Sequence, residues 1–128
     1  MKDTLPRPVP ERDLKKRTKQ FALRVIDLVE SLPNTQTARV IGNQLLRSST
    51  SVPANYRASC RARSNAEFIA KLGIVEEETD ESVFWMEMLV DRGLVKSSRV
   101  QDLMDEGNQL TAIWVTSINT ARRGKRKR

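Results

Sequence analysis

Three groups of side chains in this 128-residue sequence could do chemistry: the carboxylate run Glu76-Glu77-Glu78-Thr79-Asp80-Glu81, the lone thiol of Cys60, and the cations from Arg122 to Arg128. Carboxylates at i and i+3 or i+4 can share a hard cation such as Mg²⁺. Consecutive acids point around a helix rather than converging, and no second acidic cluster stands elsewhere, so the run reads as a solvated or salt-bridged face. The chain has no histidine. That removes Ser-His and Cys-His nucleophiles, the commonest general base, and the Glu-x-x-His pairs of di-iron bundles. Cys60 lies among small residues and reads as a packing residue, and the scattered glycines form no phosphate loop. The sequence predicts a protein that is not an enzyme and that takes no metal or cofactor.

The cations suggest a different chemistry. Clustered Lys and Arg bind phosphates by displacing counterions, without reading base sequence. Arg122, Arg123, Lys125, Arg126, Lys127 and Arg128 could do this. They could equally form a solubilising tail whose charge complements the end of a preceding helix, and both readings stand. Lys15, Lys16 and Lys19 make a second basic patch on the back of the first helix. Arg39, Arg57 and Arg61 share the outer face of the second, flanking Leu46 and Thr50. Phe21, Phe68 and Trp114 are expected in the core, which leaves no aromatic platform for base stacking. Contact with an RNA or DNA backbone is the mode this composition supports.

Charge is also divided along the chain. Residues 11–63 carry 11 basic and 4 acidic side chains, residues 64–121 carry 4 basic and 11 acidic, and residues 122–128 add six cations and no acid. Such a dipolar body predicts pairing between its halves or with a neighbour. A single cysteine excludes an internal disulfide, no apolar run approaches the roughly 18 residues of a membrane span, and Met1 to Pro10 lacks the apolar stretch of a signal peptide. A cytoplasmic protein with no membrane partner is the expectation.

The elements that must position these groups are helices. Pro10 suits a first helical position, with Glu11 and Asp13 in the first turn. Leu14, Thr18, Phe21, Val25, Leu28 and Leu32 then form one apolar face that ends at Pro33-Asn34. Asn34 or Thr35 can cap a second helix with the seam Ala38, Ile41, Leu45, Ser48, Val52, Asn55, Ser59 and Ala62. Pro53 cannot donate to the Ser49 carbonyl, which predicts one kinked helix, with the hydroxyls of Ser48 to Ser51 near the freed backbone groups. Ser64-Asn-Ala-Glu67 is a capping box ahead of a third helix whose core face is Phe68, Leu72, Val75, Thr79, Val83, Met86 and Val90, ending near Gly93. A second box, Ser98-Arg-Val-Gln101, opens a fourth with the seam Val100, Leu103, Gly107, Leu110, Trp114, Ile118 and Ala121, closed by Gly124. The fold class predicted is all-α, an antiparallel up-down four-helix bundle over residues 11–121, between an N-terminal arm (1–10) and a basic C-terminal tail (122–128).

The third helix has a second apolar face. At 100° per residue, Ala70, Ile74, Trp85 and Met88 lie opposite the core face, with Phe84 at their margin and Glu77 and Glu81 between them. A bundle helix needs one apolar stripe. The second predicts an oligomer interface formed by Ile74, Glu77, Glu81, Phe84, Trp85 and Met88, with the arginine stripe of helix two as its partner across a subunit boundary; packing against the N-terminal arm is the alternative. Exposed ion pairs contribute only about 0–1 kcal/mol each, so they would set register while apolar burial holds the assembly.

The stretch Gln44–Leu89 carries Gln44-Leu45-Leu46-Arg47-Ser48, Ser51-Val52-Pro53-Ala54-Asn55-Tyr56-Arg57, Ala62-Arg63-Ser64, Glu67-Phe68-Ile69, Lys71-Leu72, Asp80-Glu81-Ser82 and Trp85. It resembles the four-helix bundle proteins also known as 23S ribosomal RNA intervening-sequence proteins, over about a third of the chain. The resemblance implies a bundle that assembles as a homopentameric ring. It also implies a distant relation to the accessory subunit of diversity-generating retroelements, with nucleic acid and a reverse transcriptase as partners. The run Glu76–Glu78 stands where such proteins often carry a lysine, and the basic tail lies outside the shared motif. The function expected is a non-enzymatic oligomeric scaffold whose basic surfaces bind RNA or DNA; the alternative is a protein-interaction module without nucleic acid.

Overall fold

The computed structural model describes residues 10–127, with side chains to residue 124. Four helices follow one another: α1 (Glu11–Glu30), α2 (Gln36–Cys60), α3 (Asn65–Asp91) and α4 (Ser97–Lys127). Each packs on its neighbour in the chain, and α1 meets α4 lightly to close the bundle. Asn65, the first residue of α3, donates its side-chain amide to the Ala121 carbonyl late in α4 at 2.8 Å, as antiparallel neighbours require.

Local chemistry sets the helix ends. Pro10 is the N-cap of α1, so the helix starts one residue later than expected, with Glu11 and Asp13 in its first turn. α1 stops at Glu30, short of Leu32, where the Ser31 hydroxyl donates to the Leu28 carbonyl at 2.7 Å. Thr35, rather than Asn34, caps α2 by accepting from the Ala38 amide at 3.2 Å. Ser64 caps α3 by accepting from the Glu67 amide at 3.0 Å. Glu67 reaches back one residue further than a standard capping box, to the Arg63 amide at 3.1 Å. α3 ends with Gly93 at φ +77; the Gly93 amide donates to the Val90 carbonyl and the Leu94 amide to the Leu89 carbonyl, both at 2.9 Å. That is a Schellman ending, which glycine adopts without a Cβ penalty.

The fourth helix departs from expectation at both ends. It begins at Ser97, and Gln101 donates its amide to Asp105 at 2.9 Å, so the box expected at Ser98 does not open it. It also runs through Gly124 to Lys127. Gly93 is the one described glycine with positive φ, so Gly124 has no left-handed turn with which to stop it.

α2 is a single helix through Pro53. The side-chain hydroxyls before the proline reach the carbonyls of Leu45, Leu46, Arg47 and Ser48 rather than that of Ser49.

The seams form one core. Leu14, Phe21, Val25, Leu28, Ile41, Leu45, Val52, Leu72, Val75, Val83, Met86, Val100, Leu103, Leu110, Trp114 and Ile118 are all buried, each contributing about 1.5–3 kcal/mol if an aliphatic of Leu size. Trp114 sits at the centre with its ring 5.1 Å from that of Tyr56, and its indole N–H donates to Thr79 Oγ1 at 3.0 Å. Tyr56 takes the buried place expected of Asn55, and Leu89 that of Val90, while Phe68 is half-buried. The small residues of α2 let α3 approach closely: the Ser48 and Ser82 hydroxyls lie 2.9 Å apart, and each also reaches a carbonyl of its own helix.

Candidate nucleic-acid interface

Because α1 and α2 run antiparallel, the start of one lies beside the end of the other. Lys15 and Lys19 therefore meet Arg57 and Arg61 across a groove of ≈ 500 Å³ whose remaining lining is Thr50, Pro53 and Ala54. Two patches that are separate in sequence become one surface. Lys15 also pairs with Glu11 one turn earlier, Nζ to Oε2 at 3.3 Å. Hydrogen bonds from Lys15 and then Cys60 hold the Glu11 carboxyl below the usual carboxylate range. No described carboxylate forms an ion pair with Lys19, Arg57 or Arg61. Burial pushes the neighbouring Cys60 thiol and Tyr56 hydroxyl up, so both stay neutral near the groove. A groove with several cations, one adjacent acid and no nucleophile suits a polyanion. Thr50, Pro53, Ala54, Arg57 and Arg61 share one face, at three, four, seven and eleven residues from Thr50, the signal that could have located the groove within α2.

The other candidate cations lie elsewhere. Lys16 is exposed beside the groove without lining it. Arg39 sits near the start of α2, roughly 27 Å along the helix from Arg57, where it donates to Asn34 Oδ1 at 2.8 Å. Arg122 lines a different groove, between α3 and α4, and Arg123 reaches Thr120 Oγ1 at 3.4 Å. The side chains of Lys125, Arg126, Lys127 and Arg128 lie outside the described residues.

The second face of α3 is open. Ile74, Phe84 and Met88 are 43%, 47% and 38% exposed, an apolar stripe with no described residue over it; the alternative cover, residues 1–9 of the N-terminal arm, lies outside the described residues. Trp85 is half-buried, edge-on to Phe84 at 4.9 Å, and its indole N–H donates to Glu81 Oε2 at 3.0 Å. Glu81 also pairs with Arg47, from the motif Gln44–Ser48, which bridges to Glu78 at 3.5 Å as well. Hydrogen bonding from Trp85, then from Arg47, holds the Glu81 carboxyl below its ordinary range. Glu81 thus has partners inside its own chain, while Glu77 stands exposed.

Among the described residues, no group of three or more His, Cys, Asp or Glu side chains could hold a metal ion, the acidic run included. Among the same residues, no helix is long and apolar enough to cross a membrane. No curated protein matches the chain. A similar fold occurs in the crystal structure of a protein with unknown function from the S23 ribosomal protein family of Bacteroides thetaiotaomicron VPI-5482. It is 29% identical, at a TM-score of 0.79, over 85% of this chain and 97% of that one. Residues 11–116, which span the bundle from the first residue of α1 to two residues past the buried Trp114, match one family profile along their whole length. With its four-helix fold and this match over most of its length, the chain belongs to the 23S rRNA-intervening sequence protein family.

Proposed function

We propose that this protein is a self-associating helical scaffold that holds the phosphate backbone of RNA or DNA in the groove between α1 and α2. The observation that carries the reading is the meeting of Lys15, Lys19, Arg57 and Arg61 on one surface. In this reading a bend at Pro53 shapes the groove floor, and Arg122 and Arg123 add charge at the same end of the bundle. Subunits associate through the outer face of α3, which leaves Ile74, Phe84 and Met88 exposed in the single chain. A pentameric ring and a docked reverse transcriptase rest on the family resemblance alone.

Fluorescence anisotropy with labelled duplex and single-stranded RNA, titrated with salt, tests the nucleic-acid half. Replacing all four groove cations with alanine should weaken binding by about tenfold or more and flatten the dependence on log salt concentration, since each phosphate contact releases counterions. Binding insensitive to salt, or unchanged in that variant and after deletion of residues 122–128, would sink the reading in favour of a protein-interaction module.

A further inference from the structure

We infer that the groove between α1 and α2 selects RNA over DNA through the hydroxyl of Thr50, which accepts a hydrogen bond from a ribose 2′-hydroxyl. The inference rests on the groove being a nucleic-acid site, as proposed above, and names which of the two backbones it takes.

Thr50 supplies the single hydrogen-bond acceptor among the side chains that line the groove. Lys15, Lys19, Arg57 and Arg61 carry donors only, and the side chains of Pro53 and Ala54 carry neither donor nor acceptor. The Thr50 hydroxyl is held by its own helix. It donates to the Leu46 carbonyl at 2.6 Å, with the Arg47 carbonyl a longer alternative at 3.4 Å. This back-bond commits the hydroxyl proton to the protein. Thr50 is exposed, so the lone pairs left on Oγ1 face solvent or a ligand, and toward either they act as acceptors.

A DNA backbone has nothing to donate to such a group, since its phosphate, ester and ring oxygens are all acceptors. The 2′-hydroxyl is the one donor that an RNA backbone adds. The order of residues along the groove brings it to Thr50. With α1 antiparallel to α2, Lys19 lies toward Thr50 and Lys15 toward Arg61, while Arg57 and Arg61 stand about 10 Å and about 16 Å along the helix from Thr50. Pro53 and Ala54 fill the interval with an apolar strip on which the carbon face of a sugar can lie. A strand that sets its phosphates on Lys19 and Arg57 passes a sugar over this strip, with its 2′ position beside Thr50 Oγ1. The cations hold either nucleic acid, and Thr50 tells them apart.

Fluorescence anisotropy on the full chain tests this with short, unstructured single strands that carry uracil throughout, in ribo, deoxy and 2′-fluoro forms. The 2′-fluoro strand keeps an RNA-like sugar pucker but has no 2′ donor. The wild type should bind the ribo strand about fivefold more tightly than either of the others, the gain from one hydrogen bond. Thr50→Val keeps the shape of the side chain and removes the acceptor. It should bind all three strands alike, with the affinity that the wild type shows for the deoxy strand. Thr50→Ser should keep the preference, and matching melting temperatures check that both variants are folded. Equal binding of the three strands by the wild type, a 2′-fluoro strand bound as tightly as the ribo strand, or a preference that survives in Thr50→Val would overturn the inference, and the groove would stand as a site blind to the sugar. If no strand binds, or if replacing the four groove cations leaves all binding unchanged, the nucleic-acid reading of the groove falls and this inference falls with it.

Discussion

Arg17 and Glu106 form a two-pronged ion pair, Nε to Oε2 at 3.0 Å and Nη2 to Oε1 at 2.7 Å, that joins the first helix to the last. Arg47 does the same work between α2 and α3 through Glu78 and Glu81. The basic half of the chain is thereby tied to the acidic half at both of their boundaries. Since α1 and α4 touch lightly, the Arg17 pair closes the bundle where apolar contact is thinnest.

Arg17→Ala and Glu106→Ala should each lower stability, and a double-mutant cycle should return a coupling of ~1 kcal/mol, the upper end for a partly exposed pair with bidentate geometry. The melting temperature should fall by about 4 °C, and the coupling should shrink in high salt. A coupling near zero would show that the pair does not brace this seam.

Two glycines should respond to the same substitution with opposite signs. Gly107→Ala places a methyl 2.6 Å from a Val83 methyl and 3.4 Å from Phe21, in a core with no room to give. It should cost about 1–3 kcal/mol by overpacking, more than the gain in helix propensity. Gly73→Ala meets nothing and should raise the stability of the monomeric chain by about 0.5–1 kcal/mol. Urea melts of the two variants read both signs.

The seams were legible because their spacing alone reports them: Leu14, Thr18, Phe21, Val25 and Leu28 on α1 are all buried. So were the Thr35 and Ser64 caps, which depend on residues three apart. Tyr56 was not, because Asn55 and Tyr56 both border the face and contact with Trp114 decides which turns inward. The Ser98 box does not open α4, since the tight end of α3 at Gly93 lets the helix begin at Ser97, one residue ahead of it. The candidate groove was half legible. Each helix displays its own cations, but the meeting of Lys15 with Arg57 follows from antiparallel packing, which no local spacing encodes. The ion-pairing roles of Arg17, Arg47 and Glu106 gave no signal, because their partners stand 31 to 89 residues away.

Acid should release the α2–α3 clamp. The Glu81 carboxyl is held below its ordinary range by Trp85 and Arg47. A depressed folded-state value means that its contribution to stability is present above the unfolded carboxylate pKa of about 4.3 and is lost as pH falls through the lower folded value. The stability gap between wild type and Glu81→Gln should therefore be widest near neutral pH and narrow below about pH 4. A gap that stays constant from neutral pH down to pH 2 would mean that the carboxylate charge is not its source.

The bond from Asn65 to the Ala121 carbonyl ties the start of α3 to the late turns of α4. Beyond it the helix goes on to Lys127, with the exposed Arg122 and Arg123 set about 100° apart around its axis. Charges carried on a helix have fixed bearings relative to one another and to the bundle. A polyanion that met them would engage a surface already ordered, and little chain entropy would remain to be lost on contact.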